Sequence, residues 1–245
     1  MNYSGYLQLN KLLTLQQPLS PASEHRNENL FIITHQTYEL WFRQLILEIH
    51  YVIDAIEVGE IPTAIDAVQR VNAITQTIVN QISVIRTLKY HEFQRFRSYL
   101  GTSSGLQSWQ FAGIEAILGK VNQKKMQQYN KDSAIQHSLE EIIRPVSLWQ
   151  AVKSHLLKWS DISGVESRDI IELIKILLEK PSCESLLLNH LLDLDALLQE
   201  WRYQHVKLVE RTIGLNRGTG GTSGLDYLKT TLFTPIFEEL WEAFN

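Results

Sequence analysis

Apolar residues recur at three- and four-residue steps along most of the chain, the period of an amphipathic α-helix. From Ile65 the positions Val68, Val71, Ile74, Ile78, Ile82 and Ile85 share one face, and Gly59 and Pro62 mark the start of that helix. A second run, Leu187, Leu191, Leu194, Leu198, Trp201, His205 and Leu208, keeps the period up to Gly214, a residue suited to ending a helix. Between Leu30 and His50 a third helix is predicted, with Phe31, His35, Trp41, Leu45 and Ile49 at its apolar positions and Glu39 and Arg43 spaced for an i,i+4 ion pair. Shorter helices are expected over 105–127, 132–158 and 166–179, Pro145 bending or ending a turn within the second, and a last one over 225–243. No segment of four to eight residues alternates apolar and polar between hairpin signals. The expected fold class is therefore all-α, a single helical-bundle domain over 1–245 whose long helices share one core.

Composition narrows the classes of function. A chain of 245 residues, 44% hydrophobic, buries about 70–75% of its unfolded surface, which leaves room to enclose a ligand. With 23 basic against 27 acidic residues the net charge is −4, so the positive footprint of a nucleic-acid binder is missing. Cys183 is the only cysteine, which excludes an intrachain disulfide and a multi-cysteine zinc site and fits a reducing, cytoplasmic setting. Met1 to Leu9 carry neither a basic segment nor a long apolar one, and apolar runs elsewhere are soon broken by polar residues. Neither export nor a membrane span is expected.

Two stretches depart from the helical pattern: Leu100–Gly105 (LGTSSG) and Gly214–Gly224 (GLNRGTGGTSG), both small and polar enough for backbone to approach a ligand closely. The second lacks the lysine of a P-loop, has the wrong glycine spacing for a dinucleotide fingerprint and follows a helix instead of a strand. Arg217 and Thr219 within it suit a carboxylate or amino-acid ligand. His205 is in register with Leu194, Leu198, Trp201 and Leu208, so its imidazole points inward. Two readings stay open for it: a core histidine bonded to a carbonyl, or an axial haem ligand delivered through an apolar wall. His35, four residues after Phe31, has the same two-sided reading. Zinc hydrolysis lacks an H-E-x-x-H pattern, and serine hydrolysis lacks a G-x-S-x-G elbow.

In combination these features are specific. Tyr3–Leu13 (YSGYLQLNKLL), Leu30–Gln44 (LFIITHQTYELWFRQ), Ser103–Gln110 (SSGLQSWQ) and His205–Leu228 (HVKLVERTIGLNRGTGGTSGLDYL) resemble tryptophan 2,3-dioxygenase, in order and from end to end. The resemblance implies an all-helical, haem b enzyme, assembled as a homotetramer, that cleaves the indole ring of L-tryptophan with O2 to N-formylkynurenine. Carried over position by position, it makes His205 the proximal iron ligand and His35 the distal residue that hydrogen-bonds the indole N–H, with Phe31 against the ring. Arg97 matches the clamp on the substrate carboxylate, Thr219 the residue holding ammonium and carboxylate, and Phe93 a pocket wall. Ser104 and Gly105 fall with the cofactor. Tyr3, Tyr6 and Leu7 match a segment that reaches into a neighbouring subunit. Ala112 and Gly113 stand where the family carries an arginine and a bulky apolar residue, and Leu106 replaces a phenylalanine. Two other outcomes share the scaffold or the ligand: a haem monooxygenase acting on tryptophan or a related aromatic amino acid, and a haem sensor without turnover.

Overall fold

A computed structural model describes residues 1–129, 132–165, 167, 169–213 and 225–244, apart from the side chains at 213 and 225–227. The described residues form helices and turns without a strand. In chain order the helices are α1 (Tyr3–Tyr6), α2 (Leu9–Leu12), α3 (His25–Glu57), α4 (Ile61–Ile85), α5 (Tyr90–Arg97), α6 (Trp109–Leu118) and α7 (Gln123–Tyr129). They continue with α8 (Ser133–Ile142), α9 (Leu148–Ser163), α10 (Ile170–Leu178), α11 (Cys183–Ile213), α12 (Leu225–Thr230) and α13 (Glu238–Glu242).

The scaffold is α4 packed between α3 and α11, the two most extensive helix contacts in the chain. Phe42, Ile46, Ile49 and Ile53 of α3 meet Val68, Val71, Ile74 and Ile78 of α4, and Leu187, Leu191 and Leu194 of α11 close the same core. Each such side chain taken from water contributes about 1.5–3 kcal/mol, which is why these three helices hold their long, regular form. Trp41, expected on the buried face of α3, is 37% exposed, because the period that buries Phe42, Leu45 and Ile49 turns position 41 outward. Glu39 likewise does not pair with Arg43; its carboxylate accepts a hydrogen bond from Gln110 Nε2 at 2.8 Å, which ties α6 to α3.

Three expected helices are interrupted. The 105–127 stretch divides into α6 and α7 at Gly119, whose φ of +125° suits glycine and ends α6. Pro145 lies between α8 and α9, so the 132–158 stretch is two helices, and Ser147 caps the second by accepting from the Gln150 amide at 3.3 Å. The 225–243 stretch breaks into α12 and α13 around Phe233, at φ +56°, and Pro235. That last break is pinned by a buried acid: Asp195 Oδ2 accepts from the amides of Ile236 (2.9 Å) and Phe237 (3.0 Å) and from Trp241 Nε1 (3.0 Å). The C-terminal segment is thereby fixed along α11.

The substituted positions of α6 are closed by α7 and α8. Ala112 is buried with Tyr129 and Leu139, and a Cβ on Gly113 would come 2.9 Å from Ile142 Cγ2. Gly113→Leu is therefore expected to lower stability by about 1–3 kcal/mol through overpacking, read as a drop in denaturation midpoint. No described helix is long and apolar enough to cross a membrane.

Candidate active site

α3 and α11 each present one histidine to a shared cavity. His35 and His205 both line it, walled by Thr34, Phe42, Ile82, Ile85, Phe111, Trp201 and Leu208, with Gly105, Leu106 and Ser108 at the α6 entrance. The space measures about 970 Å3, part of it open to solvent. The 3-10 turn Gly105–Gln107 is brought there by local capping: Ser104 Oγ accepts from the Leu106 amide at 3.4 Å, and Ser108 Oγ caps α6 by accepting from Phe111 N at 3.2 Å.

The two imidazoles differ in their bonding. His35 Nδ1 lies 2.7 Å from the Phe31 carbonyl, and a carbonyl can only accept, so Nδ1 carries the proton and Nε2 keeps its lone pair. Burial lowers the His35 pKa, although the Phe31 carbonyl and Glu39 oppose that shift, and the ring stays neutral at pH 7. His205 stacks on Trp201, one helical turn earlier, with centroids 5.3 Å apart and planes 11° from parallel. Burial first, and the nearby His35 second, push its pKa down to about 4. No described residue hydrogen-bonds its ring, and Trp201 Nε1, in the same wall, is buried beside the Tyr38 hydroxyl.

A core histidine bonded to a carbonyl is thus not what stands at 205. A neutral imidazole without a hydrogen-bond partner among the described residues, facing a largely apolar cavity, is a donor that would suit the iron of a porphyrin. Among the described residues no group of three His, Cys, Asp or Glu is placed to hold a metal ion by itself. The lone imidazole in an apolar wall fits an iron porphyrin, which His205 would hold.

The remaining sequence candidates fall into three groups. Behind His35, Phe31 packs on its ring (centroids 4.1 Å) and on Phe93 and Phe96 (5.8 Å each), forming a small aromatic cluster with Ile85 and Leu208. Phe31 supports His35 from outside the cavity lining, and Phe93 backs Phe31. Arg97 ends α5 next to that cluster, half-buried. Ser104 stands just behind the lining residues Gly105 and Leu106. Tyr3, Tyr6 and Leu7 are 75%, 74% and 40% exposed in this single chain and do not line its cavity. Arg217 and Thr219 lie outside the described residues.

A charged wall was not anticipated from the sequence. Glu115, Lys125 and Arg202, from α6, α7 and α11, line one side of the cavity together. Arg202 Nη2 donates to Glu115 Oε1 at 2.9 Å, Arg202 Nη1 to the Thr234 carbonyl at 2.9 Å, and Lys125 Nζ pairs with Glu115 Oε2 at 3.4 Å. Their separation in sequence carries no periodic signal.

Comparison with known proteins identifies the family. The family model for tryptophan 2,3-dioxygenase matches residues 1–167 and 171–244. A tryptophan 2,3-dioxygenase of Anaeromyxobacter sp. (strain K) is 36% identical over 256 residues, covering 98% of this chain and 94% of that protein. Those of Herpetosiphon aurantiacus and Bradyrhizobium diazoefficiens are each 36% identical over 262 residues, covering 98% and 99% of this chain and 96% and 91% of their own. Motif order, helical architecture and near-complete coverage lead to one conclusion: the chain belongs to the tryptophan 2,3-dioxygenase family.

Proposed function

We propose that the protein binds haem b through His205 and uses it to cleave the indole C2–C3 bond of L-tryptophan with O2, giving N-formylkynurenine. The observation that carries this reading is the pair of neutral imidazoles facing one apolar cavity, one with an available Nε2 lone pair and the other without a hydrogen-bond partner among the described residues. When bound, the haem supplies the oxygen chemistry; the chain supplies position, polarity and the exclusion of water.

His35 Nε2 accepts the indole N–H and so sets which edge of the ring faces the reacting centre. It does not act as a full base, because an imidazole of lowered pKa is far too weak to ionise an indole N–H. Phe31 holds the His35 ring by its 4.1 Å contact and accepts the Nδ1 proton at its own carbonyl, which fixes the useful tautomer. Arg97 grips the substrate carboxylate, and Thr219 addresses the ammonium and carboxylate from the glycine-rich loop. With both ends of the amino acid held, binding energy orients the indole. Phe42, Ile82 and Ile85 keep that space apolar.

The assembly in this proposal is a cytoplasmic homotetramer. Tyr3 and Tyr6 of α1 and Leu7 just after it, exposed in the single chain, enter a neighbouring subunit's cavity.

Product mass tests the reading. Ferrous, haem-loaded protein is mixed anaerobically with tryptophan and then given O2, and the product is expected to weigh tryptophan plus two oxygen atoms. A gain of one oxygen would replace the proposal with hydroxylation, and no turnover would replace it with sensing. His35→Ala is expected to keep haem and slow kcat about 10- to 100-fold, the scale of one lost hydrogen bond to the reacting ring. Unchanged kcat in that variant would remove His35 from the orienting role.

A further inference from the structure

The Glu115–Lys125–Arg202 wall contains two cations and one carboxylate. The three side chains are only 17%, 13% and 7% exposed, so one positive charge is left with little water and no carboxylate of its own. Isolated buried charge is costly, and such a group is stabilised by an anion brought in from elsewhere. The other titratable groups lining the cavity make no ion pair with Lys125 or Arg202. Glu39 is engaged by Gln110, and His35 and His205 are neutral.

Of the two cations, Lys125 has the spare capacity. Arg202 is committed on both terminal nitrogens at 2.9 Å, to Glu115 and to the Thr234 carbonyl. The Lys125 ammonium has three donors and meets Glu115 at 3.4 Å, while resting over the Phe111 ring at 5.2 Å. Ring contacts connect it to the proximal histidine. His205 stacks on Trp201, Trp201 packs on Phe111 with centroids 4.7 Å apart, and Lys125 covers Phe111.

Resting on the haem reading above, we propose that Lys125 receives a carboxylate of the ligand in this cavity, and that the carboxylate is a porphyrin propionate. The alternative source, the amino-acid substrate, has its own cation in Arg97, at the end of α5 beside the Phe31–Phe93–Phe96 cluster instead of the Trp201–Phe111 wall. Lys125 is therefore a cofactor anchor outside every motif that marks the family in the sequence.

The test is Lys125→Met, which retains an unbranched apolar stem and leaves Arg202 and Glu115 balanced. Without haem, the variant is expected to melt no lower than the parent protein, since an unbalanced charge has been removed. With haem, its transfer to excess apomyoglobin is expected to run about tenfold faster than from the parent, and Lys125→Arg is expected to restore slow transfer. Iron protoporphyrin dimethyl ester, which lacks free carboxylates, is expected to leave parent and variant at equal rates. If the variant instead releases haem normally but needs more tryptophan for saturation, the carboxylate at Lys125 is the substrate's and the propionate assignment fails. Equal haem release and equal tryptophan saturation would overturn the anchor altogether, as would a difference that persists with the dimethyl ester. A parent protein that takes up no haem at all would overturn the haem reading itself, independently of any Lys125 variant.

Discussion

His205→Ala is expected to abolish stable haem uptake: haem-supplemented protein passed through a desalting column carries a Soret band in the parent and none in the variant. The effect is large because His205 is the cavity imidazole whose ring has no hydrogen-bond partner among the described residues, whereas the other, His35, is tied by Nδ1 to the Phe31 carbonyl and is assigned to the indole N–H. Folding is not the cause. Alanine is the best helix former, and position 205 lies within α11, whose hold on the core comes from Leu187, Leu191, Leu194 and Leu198. The small cavity left in front of Trp201 also offers a control. Millimolar imidazole is expected to restore the Soret band to the variant by replacing the missing ring. Haem retained in the variant with an unchanged spectrum would show that iron is held elsewhere.

Arg97→Ala is expected to leave haem uptake intact and to raise the tryptophan KM about 10- to 100-fold, the loss of a charge-assisted bidentate contact worth roughly 1.5–3 kcal/mol. Its position explains the separation of effects. Phe93 and Phe96 anchor α5 in the aromatic cluster behind His35, while Arg97 closes the helix at that cluster's edge and outside the cavity lining around His205. Tryptamine, an indole without the carboxylate, serves as the internal comparison, and it should bind parent and variant alike. Equal tryptophan KM values for the two proteins would refute the clamp.

Much of this architecture is legible in the chain because burial imposes a period. The faces of α4 and α11 follow directly from isoleucine, valine and leucine spacing, and the inward direction of His205 follows from the same register. Breaks are harder to read where the helical pattern continues across them. The pattern over 105–127 hides Gly119, whose positive φ stops α6, and the pattern over 225–243 hides a turn that Asp195 enforces from α11. Trp41 shows the converse error, since a bulky apolar residue one position off the buried stripe faces outward. The site follows the same division. His35 and His205 belong to motifs and could be named from sequence, but the state of each ring depends on its partners: the Phe31 carbonyl for one and no described residue for the other. The Glu115–Lys125–Arg202 wall joins three helices distant in sequence, and nothing in local periodicity connects them.

Ala112 and Gly113 have a packing rationale. Small residues there admit Tyr129, Leu139 and Ile142, so α7 and α8 lie directly on α6. That close approach also brings Lys125 of α7 within reach of Glu115 and of the cavity wall.

The most direct measurement is a crystal structure of the protein loaded with haem and tryptophan under anaerobic conditions. Density is expected for a porphyrin whose iron is bonded to the His205 imidazole, with the indole nitrogen of the amino acid at hydrogen-bonding distance from His35 Nε2. Density showing His205 bonded only to peptide groups, or an iron ligated by another residue, would contradict that expectation.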